Sequence, residues 1–219
     1  MRIFLFTFFY FPFYLLSQNL NYIDQNGYKQ GEWIKYYDNG EIRYKGQFIN
    51  DKPFRIFNYY YLTGELQAQK EFFHNGSAAA THIYYKDGAI KMSGLYVNDL
   101  RDSTWNFYSQ DSVLMMSEEY AKGSLNGLTK TYYYDGSIYE LQHWNNNIKD
   151  GKWEQYYMNG NIKMKSFYNN GKRDGKEIHY YLSGNMLSKG MYSDDLKIGL
   201  WEFFLENGDL DTIIDYRYE

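Results

Sequence analysis

The chain has 219 residues, no cysteine, two prolines, nineteen glycines and 27 tyrosines, with aromatics at 21% and a formal charge of −4. A mildly acidic chain with no long lysine or arginine run lacks the basic surface that neutralises phosphates, so no nucleic-acid partner is expected. Without cysteine there is no disulfide and no thiol nucleophile, and the fold must hold by packing alone. Abundant Tyr, Phe and Trp favour strands, and frequent Gly and Asn favour tight turns, which points to an all-β protein.

The first segment, MRIFLFTFFYFPFYLLSQ, carries one charge at Arg2 and then an apolar run from Ile3 to Leu16. That run has the length of a signal-peptide core and falls short of the roughly twenty residues that span a bilayer. Ser17 supplies a small residue before a cut, so residues 1–17 read as a signal peptide and the mature chain as exported, without a stable membrane span. No cysteine follows to carry a lipid anchor. Residues 18–27 read as an N-terminal cap.

From Tyr28 onward the chain repeats every 24 residues. The glycines at 40, 64, 88, 136, 160, 184 and 208 keep that step, and Ser112 fills the one vacant place. Upstream of each glycine position stand, in the same column, Tyr36, Tyr60, Tyr84, Tyr108, Tyr132, Tyr156, Tyr180 and Phe204. Two residues after it stand Ile42, Leu66, Ile90, Leu114, Ile138, Ile162, Met186 and Leu210, and eight after it an aromatic in every copy. Positions +2, +4, +6 and +8 share one face of an extended strand, as in Ile162, Met164, Ser166 and Tyr168, while Asn161, Lys163 and Lys165 face away. The +6 position is small in Gly46, Gly94, Ser166 and Gly190, as expected where a ring or another backbone crosses closely.

Two turns close each unit. Asp38-Asn39-Gly40 and its copies suit the positive φ of a hairpin. Asn169 to Gly175 reads as a longer polar loop to the next unit. The expectation is an all-β, elongated repeat array over residues 28–219: eight β-hairpins in a twisted antiparallel meander. At about 4.8 Å between strands the row is about 75 Å long. Residues 18–27 and the tail from Ile213 to Glu219 are expected to cover its ends.

The string Gly151-Lys152-Trp153-Glu154-Gln155-Tyr156-Tyr157-Met158-Asn159-Gly160-Asn161-Ile162 resembles the MORN-repeat variant of bacterial proteins, and Gly31 to Ile42 is nearly as close. The resemblance implies a MORN-like row of hairpins and a role in interaction or scaffolding, sometimes at membranes. Some bacterial relatives are labelled antitoxins. Arg55, Ala79 and Ser103 depart from the first glycine of the motif, and Thr81, Thr129 and Glu177 from its Trp. From the third unit onward Trp stands in every second unit, alternating with Thr or Glu, which fits either a duplicated two-hairpin block or two packing environments.

The search for chemistry is short. His74, His82, His143 and His179 sit at four different offsets with no metal-ligand spacing, and no phosphate-cradling glycine loop occurs. The carboxylates concentrate in turns, where turn geometry explains them. Neither catalytic residues nor a metal or cofactor are expected. The candidate binding surface is instead aromatic: Trp33, Trp105, Trp153 and Trp201, with Tyr37, Tyr61, Tyr85, Tyr133, Tyr157 and Tyr181. The function expected is that of an exported, non-catalytic scaffold for a protein partner. The alternative is a cell-envelope glycan binder that stacks aromatics on sugar rings. The oligomeric state is left open.

Overall fold

A computed structural model describes residues 20–218. The leader expected over residues 1–17 lies outside the described residues. A short strand β1 (Tyr22–Ile23) precedes eight hairpins in chain order. They are β2 and β3 (Lys29–Tyr36, Ile42–Ile49), β4 and β5 (Lys52–Tyr60, Leu66–Phe73), β6 and β7 (Ala78–Tyr84, Ile90–Val97), and β8 and β9 (Leu100–Tyr108, Leu114–Ala121). Then follow β10 and β11 (Ser124–Tyr132, Ile138–Asn145), and β12 and β13 (Ile148–Tyr156, Ile162–Asn169). The seventh hairpin has a broken first strand, β14 (Lys172–Arg173) and β15 (Gly175–Tyr180), paired with β16 (Met186–Ser193); the eighth is β17 and β18 (Leu196–Phe204, Leu210–Asp215). Successive strands pair antiparallel, with β13 pairing both β14 and β15, so the array is one continuous meander. No helix among the described residues is long and apolar enough to cross a membrane.

Turn chemistry sets the repeat step. In the first hairpin the Gly40 amide donates to the Tyr37 carbonyl at 3.0 Å and the Tyr37 amide to the Glu41 carbonyl at 2.8 Å. The same two bonds recur in all eight copies, each around a residue of positive φ. Ser112 takes that role at φ 63, a left-handed conformation that a side chain disfavours.

The second turn differs from expectation. It is a two-residue turn, as at Asn50-Asp51 (φ 50 and 62) and Asn170-Gly171 (φ 49 and 88). Positive φ at both centres is the type I′ pattern, whose twist matches that of the flanking strands. Lys172 and Arg173 have therefore already re-entered the sheet as β14 rather than lying in a loop. Only the junction of the second and third hairpins departs, through a short 3-10 turn at His74–Gly76.

One face carries the core. Adjacent strands bring Trp33 opposite Gly46, Phe57 opposite Lys70, Thr81 opposite Gly94 and Trp105 opposite Glu118, and the row continues through Trp153 and Ser166 to Trp201 and Ile214. Phe57, Thr81, Trp105, Ser166, Glu177 and Trp201 are all buried along it. The registers slip at most junctions between units, for example between Lys45 and Gln47 against β4, though not between β5 and β6. Those bulges swing Phe57, Trp105 and Trp201 across Gly46, Gly94 and Gly190 of the preceding hairpin. A Cβ at any of the three glycines would fall inside the ring.

The alternation in every second unit thereby acquires a physical basis. At three junctions a large ring lies over glycine, while Thr81 follows Lys70 and Thr129 follows Glu118, so volume is exchanged between the two columns there. Trp153 after Gln142 and Glu177 after Ser166 depart from that exchange. The stem of Lys70 fills the space beside Thr81, with its ammonium 4.5 Å from the Tyr96 ring centre and 6.0 Å from that of Tyr59. Burial lowers the Lys70 pKa and raises that of Tyr59.

The ends are treated differently. At the start, Asn21 bonds β2 with both its side chain (to Ile34, 3.0 and 2.8 Å) and its backbone (to Glu32, 2.9 Å). At the far end Ile213 to Asp215 complete β18 instead of covering it, and only Tyr216 turns back, its ring 6.4 Å from that of Trp201.

Candidate interaction surface

Two of the four tryptophans are closed to a partner. Trp105 is 0% and Trp201 2% exposed, each with its indole N–H donated to a backbone carbonyl, Leu95 at 3.0 Å and Met191 at 3.2 Å. Trp33 and Trp153 are half-buried in the same row. Each of these four rings has a cation from its own hairpin over it: Lys29 (5.1 Å), Arg101 (4.6 Å), Lys149 (5.6 Å) and Lys197 (4.2 Å). Trp105 and Trp201 thus offer no open ring face, whereas Trp33 and Trp153 stay partly exposed and Trp33 lines a surface recess. The sequence expectation is corrected for Trp105 and Trp201, which are core residues.

The tyrosines have an equally internal task. The hydroxyls of Tyr37, Tyr61, Tyr85, Tyr133, Tyr157 and Tyr181 each donate to a carbonyl 23 residues later, at 2.8–2.9 Å. Each bond ties a hairpin tip to the next hairpin. At position 109 a serine stands in place of the tyrosine, and the fourth tip is joined to the fifth by a different bond, Tyr134 hydroxyl to Asp111 at 2.6 Å. These six rings are half-buried clips.

Two irregular places interrupt the core. Glu177, 4% exposed, accepts from Ser166 at 2.9 Å and lies 2.8 Å from His179 Nε2. Burial pushes its pKa up, but the bonds from His179 and Ser166 outweigh that, and its pKa ends below the ordinary value. The hydroxyl of Ser166 donates to the carboxylate rather than to the imidazole, and Ser166 is itself buried. The second place lies in the fifth and sixth hairpins, where Thr129 Oγ1, Gln142 Nε2 and the indole nitrogens of Trp144 and Trp153 are buried without a partner among the described residues. Gln142 stands where Gly94 and Gly190 stand, and Trp153 consequently lacks the carbonyl bond made by Trp105 and Trp201. Among the described residues no group of three or more His, Asp or Glu is placed to hold a metal.

The opposite face is where the hairpins differ most. Its column one residue before the Trp position reads Glu32, Ile56, Ala80, Thr104, Leu128, Lys152, Lys176 and Leu200. The +7 column reads Gln47, Glu71, Leu95, Glu119, His143, Phe167, Met191 and Asp215. Neither is constrained by the core, because side chains alternate across a strand. In the last three hairpins these positions, with neighbours, expose Phe167 (40%), Met191 (44%), Ile198 (41%), Leu200 (50%) and Ile213 (49%). Cross-strand pairing joins them: Met191 lies opposite Ile198 and Lys176, Phe167 opposite Lys152, and Ile213 opposite Glu202. Sequence reasoning passed over this patch because no single residue in it is unusual. Its signal is the departure of the +7 column from Gln and Glu to Phe and Met.

The model of the MORN repeat variant matches residues 29–50, 125–146, 149–172 and 173–194. A search of curated proteins returns no match. The matched segments are the first, fifth, sixth and seventh hairpins, and the other four keep the same repeat frame, turn bonds and strand pairing. MORN repeats are in general protein- or membrane-interaction repeats. Four of the eight hairpins are thus repeats of the MORN variant type.

Proposed function

We propose that the protein is an exported, non-catalytic scaffold that binds another protein along the variable face of its sheet. The observation that carries this reading is the apolar patch of the last three hairpins. A regular frame there exposes Phe167 and Met191, where the first two hairpins place Gln47 and Glu71, beside Leu200, whose counterpart Ile56 is also exposed. Clustered exposed apolar side chains on a folded protein are characteristic of interaction sites. Glycan binding by the Trp column is not supported, since stacking on a sugar needs an open ring face and Trp105 and Trp201 have none.

The scaffold reading is tested by native affinity capture with the intact chain, followed by reconstitution of the complex from purified components. A defined complex without turnover on a broad hydrolase panel supports it. Failure to reconstitute any complex, or turnover on the panel, overturns it. Export is tested separately: deleting residues 1–17 should leave the protein in the cytoplasm, and an unchanged location would remove that part of the proposal.

A further inference from the structure

The bulge that carries Trp201 across Gly190 leaves a recess on the opposite side of the sheet, lined by Lys176, Lys189, Gly190, Met191, Leu200 and Glu202. The first hairpins have a recess at equivalent positions, six units earlier, lined by Glu32, Lys45, Gly46, Gln47, Ile56 and Asn58 and extended by Trp33 and Ile34. The recess is therefore a product of the repeat geometry, and the side chains around it decide what it accepts. Glu32 puts a carboxylate at the edge of the first one, beside Trp33 and Ile56. Lys176 puts an ammonium at the edge of the last one, beside Met191 and Leu200.

Charge sharpens the contrast. Lys189 is paired with Glu202 at 2.8 Å, whereas Lys176 and, along the same row, Lys152 have no ion-pair partner among the described residues. Both are exposed and flank Met191 and Phe167 directly across the strands. An apolar floor beside unpaired ammonium groups is complementary to an apolar side chain next to a carboxylate.

We infer that the recess at Gly190 is a docking site for an acidic segment of a partner protein. An apolar anchor seats between Met191 and Leu200, and a neighbouring carboxylate reaches Lys176. This rests on the scaffold reading above and adds the place and the chemistry. The apolar anchor supplies burial and excludes water, and the ion pair sets orientation and rejects basic segments.

The test is fluorescence anisotropy with four probes against the intact protein: a labelled Glu–Leu amphipathic peptide, its Lys–Leu counterpart, poly-glutamate, and phosphatidylglycerol vesicles. The Glu–Leu peptide should bind and the Lys–Leu peptide should not. Lys176→Glu and Leu200→Ser should each weaken binding at least tenfold without altering the unfolding transition, because both side chains are exposed. Ile56→Ser, the equivalent change at the first recess, should leave binding unchanged. Equal binding by all variants, or no binding of the Glu–Leu peptide, overturns the inference while leaving the scaffold reading to its own reconstitution test. Poly-glutamate binding as tightly would show that charge alone is read. Vesicle binding lost on the same substitutions would assign the patch to a lipid surface. A dimer that those substitutions dissociate would assign it to a second copy of this chain. Each of these three results also overturns the inference.

Discussion

At the residue scale, the two positions that matter most are those where backbone and side chain are in conflict or in contact. Gly94 has the Trp105 ring where its Cβ would be. Gly94→Ala should therefore destabilise by about 1–3 kcal/mol through overpacking, read as a lower denaturant midpoint with unchanged slope. Ser112 illustrates the opposite case. It holds φ 63 where the other seven hairpins have glycine, and it makes the same turn bonds. Ser112→Gly should stabilise by about 1 kcal/mol, and a loss of stability would mean that its conformation carries no strain. The glycine step was legible in the sequence, and so was this exception. The contact of Gly94 with Trp105 was foreseen only in kind, because the small +6 residue announces that something crosses without saying what.

At the element scale, each hairpin is joined to the next by ladder bonds, at six junctions by a tyrosine clip, and at three by a ring over a glycine. Tyr157→Phe removes only the hydroxyl that reaches the Tyr180 carbonyl at 2.8 Å, and should cost about 1 kcal/mol. Ser109→Tyr should recover a comparable amount by supplying the missing clip to Tyr132, with slower amide exchange at the fourth and fifth tips as the local readout. The seventh hairpin adds a pH term. Glu177 has a lower pKa folded than unfolded, so its contribution is present above the unfolded value and is lost as the pH falls toward the folded one. Thermal unfolding of Glu177→Gln should thus lose less stability than the wild type on acidification through the ordinary glutamate range. Equal acid sensitivity would show that Glu177 is not the group responsible. The clip itself was invisible to sequence reasoning. Paired tyrosines mark a strand end, but the acceptor lies in the following hairpin and is within reach only once the two hairpins are side by side.

For the whole molecule, the meander makes stability a sum over neighbours, since each hairpin touches chiefly the one before and the one after. Trp105→Ala should cost about 3–5 kcal/mol, and hydrogen exchange should place the loss in the third and fourth hairpins rather than along the whole array. Uniform loss of protection would mean that the array unfolds as one unit. Function enters at this scale too. A frame repeated eight times leaves its outer columns free to vary, and only the assembled sheet brings Phe167, Met191, Leu200 and Ile213 together from three hairpins.

The sequence by itself determined the period, the strand and turn positions, the face that packs and the family of the repeat. All of these are local or recur in every unit, so one copy corroborates another. The tertiary structure decided which aromatics are used up internally, how a Trp in one hairpin depends on a glycine in the previous one, and where apolar side chains are left exposed. Those outcomes depend on the bulge between neighbouring hairpins, which shifts register across the junction and has no signature within a single repeat.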